Sequence, residues 1–318
     1  MLIDSVLVVV GLAVLLVGGE LLVRGAVSAA KLLSVPALLI GLTVVAFGTS
    51  APELVVTVQA ILSGDNGIAM GNIVGSNIAN ILLVLGLPAI VSAISLATPK
   101  LRRHATVMLA ATAIFCGFVY ATGVIGTLAG LVMLAVIGLY LVMIGLDALR
   151  SDGDADLMAE VEELGTTAGS KWKTPLYLVL GLAALPVGAN LLVENGADIA
   201  KVLGVRDEVI GLTIVAFGTS LPELATVFAA ALKREADVAV GNILGSNIFN
   251  LLFVGGVAGL VGTSGFTDSA RLVDLPVMIA SAVLLGALVF GRGRIGRALG
   301  AVLTIAYAAY IVLLGTGV

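Results

Sequence analysis

The sequence predicts an all-α integral membrane protein with ten transmembrane helices, arranged as two inverted-topology repeats of five helices. Three observations support this prediction: an apolar composition, apolar runs of spanning length, and a pair of duplicated motifs. Of the 318 residues, 60% are hydrophobic and 11% are charged, and the mean hydropathy is +1.19. A soluble domain carries roughly 25% charged residues. We therefore expect the lipid bilayer to surround most of the chain.

Ten apolar runs are long enough to cross the hydrocarbon core, which needs about 20 residues. The predicted spans are 4–30, 36–62, 68–95, 105–122, 125–147, 175–200, 208–231, 237–262, 272–290 and 295–315. Five of them precede a polar stretch and five follow it. The predicted domains are a first membrane repeat at 1–147, an acidic cytoplasmic linker at 148–174, and a second membrane repeat at 175–318.

Two sequence motifs occur twice, at a constant offset of 170 residues. GLTVVAFGTS at 41–50 returns as GLTIVAFGTS at 211–220, and a Pro-Glu pair follows each copy at a spacing of one residue. GNIVGSNIAN at 71–80 returns as GNILGSNIFN at 241–250. Because an odd number of spans separates the copies, they must cross the membrane in opposite directions.

The basic residues predict the orientation of the chain. If the N-terminus lies outside the cytoplasm, only Lys201, Arg206 and Arg271 of the 16 Lys and Arg residues fall on the far side. Cytoplasmic loops carry the excess of positive charge. We therefore expect both termini outside the cytoplasm.

Each first motif places a proline and a glutamate inside an apolar span. Proline removes a backbone donor and crowds the carbonyl four residues back, so we expect the helix to break near Pro52 and near Pro222. Carbonyls freed near Ala46 would then need partners, and lipid offers none. Buried carboxylates at Glu53 and Glu223 are costly in a bilayer and typically mark an ion pathway. The pattern favours a membrane transporter with a cation site shared by the two repeats.

Each second motif carries a polar stripe on one helical face, because its polar residues recur every four positions. Two of the three residues in each stripe are candidate ligands: Ser76 and Asn80, with Ser246 and Asn250. For the other amides, interhelical hydrogen bonding is the favoured role. These are Asn72, Asn77, Asn242 and Asn247.

A site made only of oxygen atoms selects hard cations such as Na⁺, Ca²⁺ and Mg²⁺, and flexible cages with many oxygens suit Ca²⁺ best. The only softer ligands are Cys116 and His104, and we place His104 in a cytoplasmic loop, so zinc or copper transport is disfavoured. We expect no enzyme: an intramembrane hydrolase needs a nucleophile beside a base, and Ser50 and Ser220 have no histidine or lysine predicted nearby. A cation channel built on the same oxygens is a remote alternative.

The paired motifs GTSAPEL and GTSLPEL, with GNIVGSNIAN and GNILGSNIFN, resemble the alpha-repeats of the sodium/calcium exchanger family, within the cation/Ca²⁺ antiporter superfamily. The resemblance covers 41–95 and 211–262, and the ten-span plan covers the chain. It implies a prokaryotic-type member in the plasma (inner) membrane that exchanges Na⁺ for Ca²⁺ by alternating access. H⁺/Ca²⁺ exchange and K⁺-dependent Na⁺/Ca²⁺ exchange stay open. The transported ions are then the only ligands we expect, with no cofactor and no nucleic acid, and the sequence indicates no particular protein partner.

The resemblance also implies a set of ion ligands. Glu53 and Glu223 would be the central carboxylates. Oxygens from the following residues would complete the site: Ala46, Thr49, Ser50, Ser76, Asn80, Ala216, Thr219, Ser220, Ser246 and Asn250. Some relatives carry an aspartate where this chain has Asn250, so here only two carboxylates are certain.

The acidic linker has a minor alternative interpretation. Counting Asp152 as the first position, its acids follow the spacing of an EF-hand loop, which would make it a regulatory Ca²⁺ site. Leu157 stands where that loop needs a glycine, so a solvated loop is the favoured reading.

Overall fold

The computed structural model describes residues 2–33, 35, 37–64, 66–98, 100–150, 172–203, 218–266, 270–291 and 293–315. Within these residues, nine helices are long and apolar enough to cross a membrane, and a tenth apolar helix is shorter. The predicted spans are thus found, except that the first half of the seventh lies outside the described residues. Most of the predicted linker, including the EF-hand-like acids, lies outside them too.

The ten helical segments are numbered here in chain order. They are α1 Leu2–Leu33, α2 Ala37–Leu62, α3 Asn66–Val91, α4 Leu101–Thr122, α5 Thr127–Arg150, α6 Lys173–Val202, α7 Leu221–Leu232, α8 Ala236–Val261, α9 Arg271–Phe290 and α10 Arg297–Gly315. Three of them contain a stretch of π-helix, at Gly41–Val45 in α2, Asn80–Val84 in α3 and Phe249–Val254 in α8, and a fourth stretch, Ala270–Asp274, overlaps the start of α9.

The repeat is visible in the element bounds. The second part of α2, Ala51–Leu62, and α7, Leu221–Leu232, lie 170 residues apart at both ends. Four two-residue strands, which the all-α prediction misses, show the same relation: β1 Ile94–Ser95, β2 Val124–Ile125, β3 Ser264–Gly265 and β4 Arg294–Ile295. Each strand pairs antiparallel with a strand of the other repeat, β1 with β4 and β2 with β3. The two ladders therefore join the repeats at two equivalent places.

Helices α1 and α6 pack against each other through glycines. A Cβ added to Gly11 would lie 2.9 Å from the Gly188 carbonyl oxygen, and one added to Gly181 would lie 2.7 Å from the Leu22 amide. Only a residue without a side chain permits such an approach between backbones. The close contact holds these two helices together as a pair.

The loop position expected for His104 is wrong. His104 lies in the first turn of α4, is 3% exposed, and its Nδ1 is 2.9 Å from the hydroxyl of Tyr140 on α5. Two adjacent charged residues, Arg102 and Arg103, favour a loop in a sequence-based prediction, but the helix begins before them at Leu101. Both arginines are instead included in its first turn.

Candidate functional site

Both Pro-Glu motifs break their helices in the same way. In α2 the segment Ala46–Thr49 ends at Ser50, which has φ −85° and ψ 3°, and a new helix begins at Ala51. Ser220 repeats this geometry with φ −87° and ψ 1°, and α7 begins at the next residue. The predicted breaks are therefore present in both repeats.

The break places each glutamate in the first turn of a helix, where the helix dipole favours negative charge. Glu53 and Glu223 are 1% and 0% exposed, so both carboxylates are buried in the protein. One oxygen of each, Oε2, has no hydrogen-bond partner among the described residues. Two buried carboxylates with unsatisfied oxygens need a positive partner.

Contacts between the two repeats reach the Glu223 carboxylate and the polar residues near it. The Ser50 hydroxyl donates to Oε1 of Glu223 at 3.4 Å. The Thr49 hydroxyl donates to Oδ1 of Asn242 at 3.2 Å and lies 3.5 Å from the hydroxyl of Ser246. All five residues are buried, so the broken part of α2 meets the stripe of α8 and the start of α7 in one site.

Asn80 and Asn250 both belong to π-helical turns. The Leu85 amide donates to the Asn80 carbonyl, five residues back, at 3.1 Å, and the Gly255 amide donates to that of Asn250. A π turn inserts an extra residue and turns the side chains that follow it, and such turns are frequent at functional sites. Residue propensities do not reveal this feature.

The two asparagine side chains have different partners. Nδ2 of Asn80 donates to Oδ1 of Asn247 at 3.0 Å, while Oδ1 of Asn80 has no partner. Neither side-chain atom of Asn250 is hydrogen-bonded among the described residues. Asn77, the repeat equivalent of Asn247, also leaves its Oδ1 without a partner. The amide oxygens of Asn80 and Asn250 are thus buried and unused.

The remaining predicted ligands differ in what the structure shows. Ser220 is buried and its hydroxyl has no partner, and Ser76 is also buried, without a hydrogen bond in the described part of the chain. Thr219 is half-buried. The Ala46 carbonyl, expected to be freed, accepts the Ser50 amide at 3.0 Å and the Thr49 hydroxyl at 3.4 Å. Ala216 lies outside the described residues.

The favoured structural role of Asn72 matches its contacts. Its Nδ2 donates to the Glu53 carbonyl at 3.0 Å and to the Thr57 hydroxyl at 2.9 Å, which ties α3 to the second part of α2. Asn242 behaves differently, because its oxygen accepts the Thr49 hydroxyl inside the site. No local sequence signal separates these two equivalent residues.

In chemical terms the site is an oxygen cage with a formal charge of −2. Among the described residues, no group of three or more His, Cys, Asp and Glu side chains is placed to hold a metal ion. The donors are two carboxylates with hydroxyl and amide oxygens, which is the set that hard cations prefer.

A helical membrane protein with two inverted repeats and a buried oxygen cage between them is a fold and site typical of secondary transporters. The family described as "Sodium/calcium exchanger protein" matches residues 4–146 and 173–316, and the chain belongs to this family. It is similar to the inner membrane protein YrbG of Escherichia coli, with 35% identity over 99% of this chain and 97% of that protein. It is also similar to the sodium/calcium exchanger MaX1 of Methanosarcina acetivorans, with 32% identity over 98% of each chain.

The fold has a close counterpart among solved structures. The sodium-calcium exchanger NCX_Mj, soaked with Na⁺ and Sr²⁺, superposes with a TM-score of 0.82 at 31% identity, over 98% of this chain and 99% of that one. The resemblance inferred from the motifs is therefore confirmed at the level of the family and of the all-helical fold.

Proposed function

We propose that this chain is a secondary active antiporter that exchanges Na⁺ for Ca²⁺ by alternating access around Glu53 and Glu223. The observation that carries the proposal is the pair of buried carboxylates, one from each repeat, whose Oε2 atoms have no partner among the described residues. Family membership and the similarity to NCX_Mj support the choice of ions.

Charge balance gives a reason for exchange instead of leak. One Ca²⁺ neutralises the two carboxylates, and so do two Na⁺, while a third Na⁺ leaves a charge of +1. Cations in one low-dielectric cage repel strongly, so Ca²⁺ and a full load of Na⁺ exclude each other. Without a cation, the site would carry two buried negative charges across the barrier, and this step is costly.

Asymmetry between the repeats supports alternating access. One face of α7 is covered by protein, whereas the equivalent face of α2 is uncovered. The covered residues are Leu221, Ala225 and Ala229, and the uncovered ones are Ala51, Val55 and Gln59. Val55 is 54% exposed and its equivalent Ala225 is 7% exposed.

Helix α1 packs over this face of α7 and buries it. A Cβ added to Gly19 would lie 2.7 Å from the Ala225 carbonyl oxygen, so α1 packs directly on this face. The basic residues predict that α7 leads to the cytoplasm, so in this conformation the cytoplasmic side is closed. Because the repeats are equivalent, movement of the α1–α6 pair towards the second part of α2 would produce the opposite state.

The proposal is tested by ⁴⁵Ca²⁺ uptake into proteoliposomes loaded with Na⁺ and diluted into Na⁺-free buffer. Vesicles loaded with K⁺ and vesicles carrying only a pH gradient are the controls. We expect uptake only with internal Na⁺. Uptake driven by the pH gradient alone would assign proton coupling, and uptake without any counter-gradient would indicate a channel; either result rejects the proposal.

A further inference from the structure

A cavity lies away from the proposed cation site, where the repeats meet at the β1–β4 ladder. It has a volume of about 840 Å³ and is lined by the end of α3, the α7–α8 turn and the start of α10. Three of its lining residues are arginines: Arg234, Arg294 and Arg297. On the ladder itself, Ser95 is paired with Arg294. The cavity is therefore a concave basic site.

These arginines lack acidic partners in the described part of the chain. No ion pair between any of them and an Asp or Glu is found there. Two acids follow Arg234 in sequence, but neither lines the cavity. Asp237 accepts the Thr98 hydroxyl at 2.6 Å, and Glu235 has interactions of its own. Three positive charges converge on the cavity, and an anion would relieve their mutual repulsion.

The fold does not require this charge. The repeat equivalents of the three arginines, 170 residues earlier, are Gly64, Val124 and Thr127, and none of them is charged. The β2–β3 ladder at that end forms without basic residues at these positions. The arginines are therefore not needed to hold the repeats together, and their presence on this side only agrees with the positive-inside rule.

The backbone conformation of Arg234 is energetically costly, which favours a specific role for this side chain. Its φ is 61°, in the left-handed region, and it is the only residue other than glycine with a positive φ among the described residues. Its equivalent Gly64 has φ 83°, so the turn itself favours glycine. A side chain at such a position costs about 1 kcal/mol relative to glycine. The chain nevertheless places an arginine there.

Phosphate is the anion that several converging guanidinium groups recognise best, because their planar forks match its oxygens. The cavity lies on the side that the basic residues predict to be cytoplasmic, where anionic lipids concentrate. Its rim is partly apolar, since Val91 lines it and is 51% exposed. An apolar wall beside basic groups suits a lipid headgroup with its acyl chains better than it suits a free ion.

We propose that Arg234, Arg294 and Arg297 form a binding site for the phosphate of an anionic phospholipid. The site is separate from the proposed cation cage, so the test of lipid binding does not depend on the exchange activity.

The test is native mass spectrometry of the full chain in dodecyl maltoside, titrated with phosphatidylglycerol or with phosphatidylcholine. The repeat itself supplies the substitutions for a triple variant: Arg234→Gly, Arg294→Val and Arg297→Thr. The matched control removes three charges from the same predicted side, outside the cavity: Lys31→Gln, Lys100→Gln and Lys173→Gln.

We expect phosphatidylglycerol to bind the native chain and the lysine control with similar affinity, and the arginine variant on the order of 100-fold more weakly. Equal binding of both lipids, or unchanged binding in the arginine variant, would overturn the proposal. Inorganic phosphate is titrated in parallel; if it binds and phosphatidylglycerol does not, the lipid assignment is wrong. The single variant Arg234→Gly relieves backbone strain, so we expect it to fold. Its affinity for phosphatidylglycerol tests the proposal if the triple variant fails to fold.

Discussion

The hydroxyl of Ser50 donates to Oε1 of Glu223 at 3.4 Å, joining the broken helix of one repeat to the carboxylate of the other. The contact is buried on both sides, with Ser50 4% and Glu223 0% exposed. It shows that the Glu223 carboxylate is positioned partly by the other repeat, whereas the equivalent Ser220 hydroxyl has no partner among the described residues. The proposed cation site is therefore built from residues of both copies.

Removing this hydroxyl should weaken cation binding. We expect Ser50→Ala to reduce the apparent affinity for Ca²⁺ about tenfold, because a hydrogen bond to a charged group contributes roughly 1.5–3 kcal/mol and this one is long. The measurement is the Ca²⁺ dependence of Na⁺-driven ⁴⁵Ca²⁺ uptake. Ser63→Ala, at the exposed end of α2, serves as the control. Equal affinities in the two variants would show that the Ser50 hydroxyl has no role.

The two central asparagines should respond differently to a carboxylate. Asn250→Asp sacrifices no hydrogen bond among the described residues and adds a third charge, so we expect tighter Ca²⁺ binding. Asn80→Asp loses the donor to Asn247 and places two acceptor oxygens together. We expect this loss to cost about 1–3 kcal/mol of stability. Thermal unfolding in detergent compares the variants, and equal stability would contradict the assigned partners.

An ion pair between α1 and the end of α7 should bias the protein towards the observed conformation. Glu20 lies 2.7 Å from Lys233 and 2.6 Å from Arg24 of its own helix. Partly exposed pairs contribute roughly 0.2–1 kcal/mol, so we expect Lys233→Gln to shift the conformational equilibrium by up to about fivefold. The rate of alkylation of Ala225→Cys, in a chain with Cys116→Ala, reports whether α1 uncovers α7.

The matched control for this ion pair is Arg24→Gln, which removes a partner of Glu20 within one helix and leaves the link between helices. We expect faster alkylation with Lys233→Gln only. The same rate in both variants would mean that the link to α7 does not hold the closed state.

Close packing of α8 against α2 should tolerate no added methyl group. A Cβ at Gly241 would lie 2.9 Å from the Leu38 carbonyl oxygen, whereas Gly71, its repeat equivalent, is exposed. We expect Gly241→Ala to destabilise the fold by about 1–3 kcal/mol and Gly71→Ala to change it little. Thermal unfolding of both variants decides this, and a stable Gly241→Ala protein would argue against the packing described here.

Much of the fold follows from local sequence signals. The apolar runs determine the spans, and the prolines at Pro52 and Pro222 determine the breaks, because these effects act within a few residues. The proposed role of Glu53 and Glu223 follows from the sequence because a buried carboxylate is too costly to retain without a partner.

Other features depend on contacts that no local pattern contains. The β1–β4 and β2–β3 ladders pair residues from different repeats, and two residues are too few to show alternation. The π turns at Asn80 and Asn250 shift the hydrogen bonds by one residue without a distinctive sequence. Val55 is exposed and Ala225 is buried in this conformation only. Because the sequence encodes two equivalent repeats, it does not specify which of them is exposed.

Binding of the exchanged cations by Glu53 and Glu223 is the basis of the proposed exchange activity. Its most direct test is Na⁺-driven ⁴⁵Ca²⁺ uptake by Glu53→Gln and Glu223→Gln, with Glu194→Gln as a control because this carboxylate lies in α6 and is exposed. We expect both site variants to lose uptake while the control keeps it, since each amide removes one of two negative charges that balance Ca²⁺. Full uptake in either site variant would contradict the assignment.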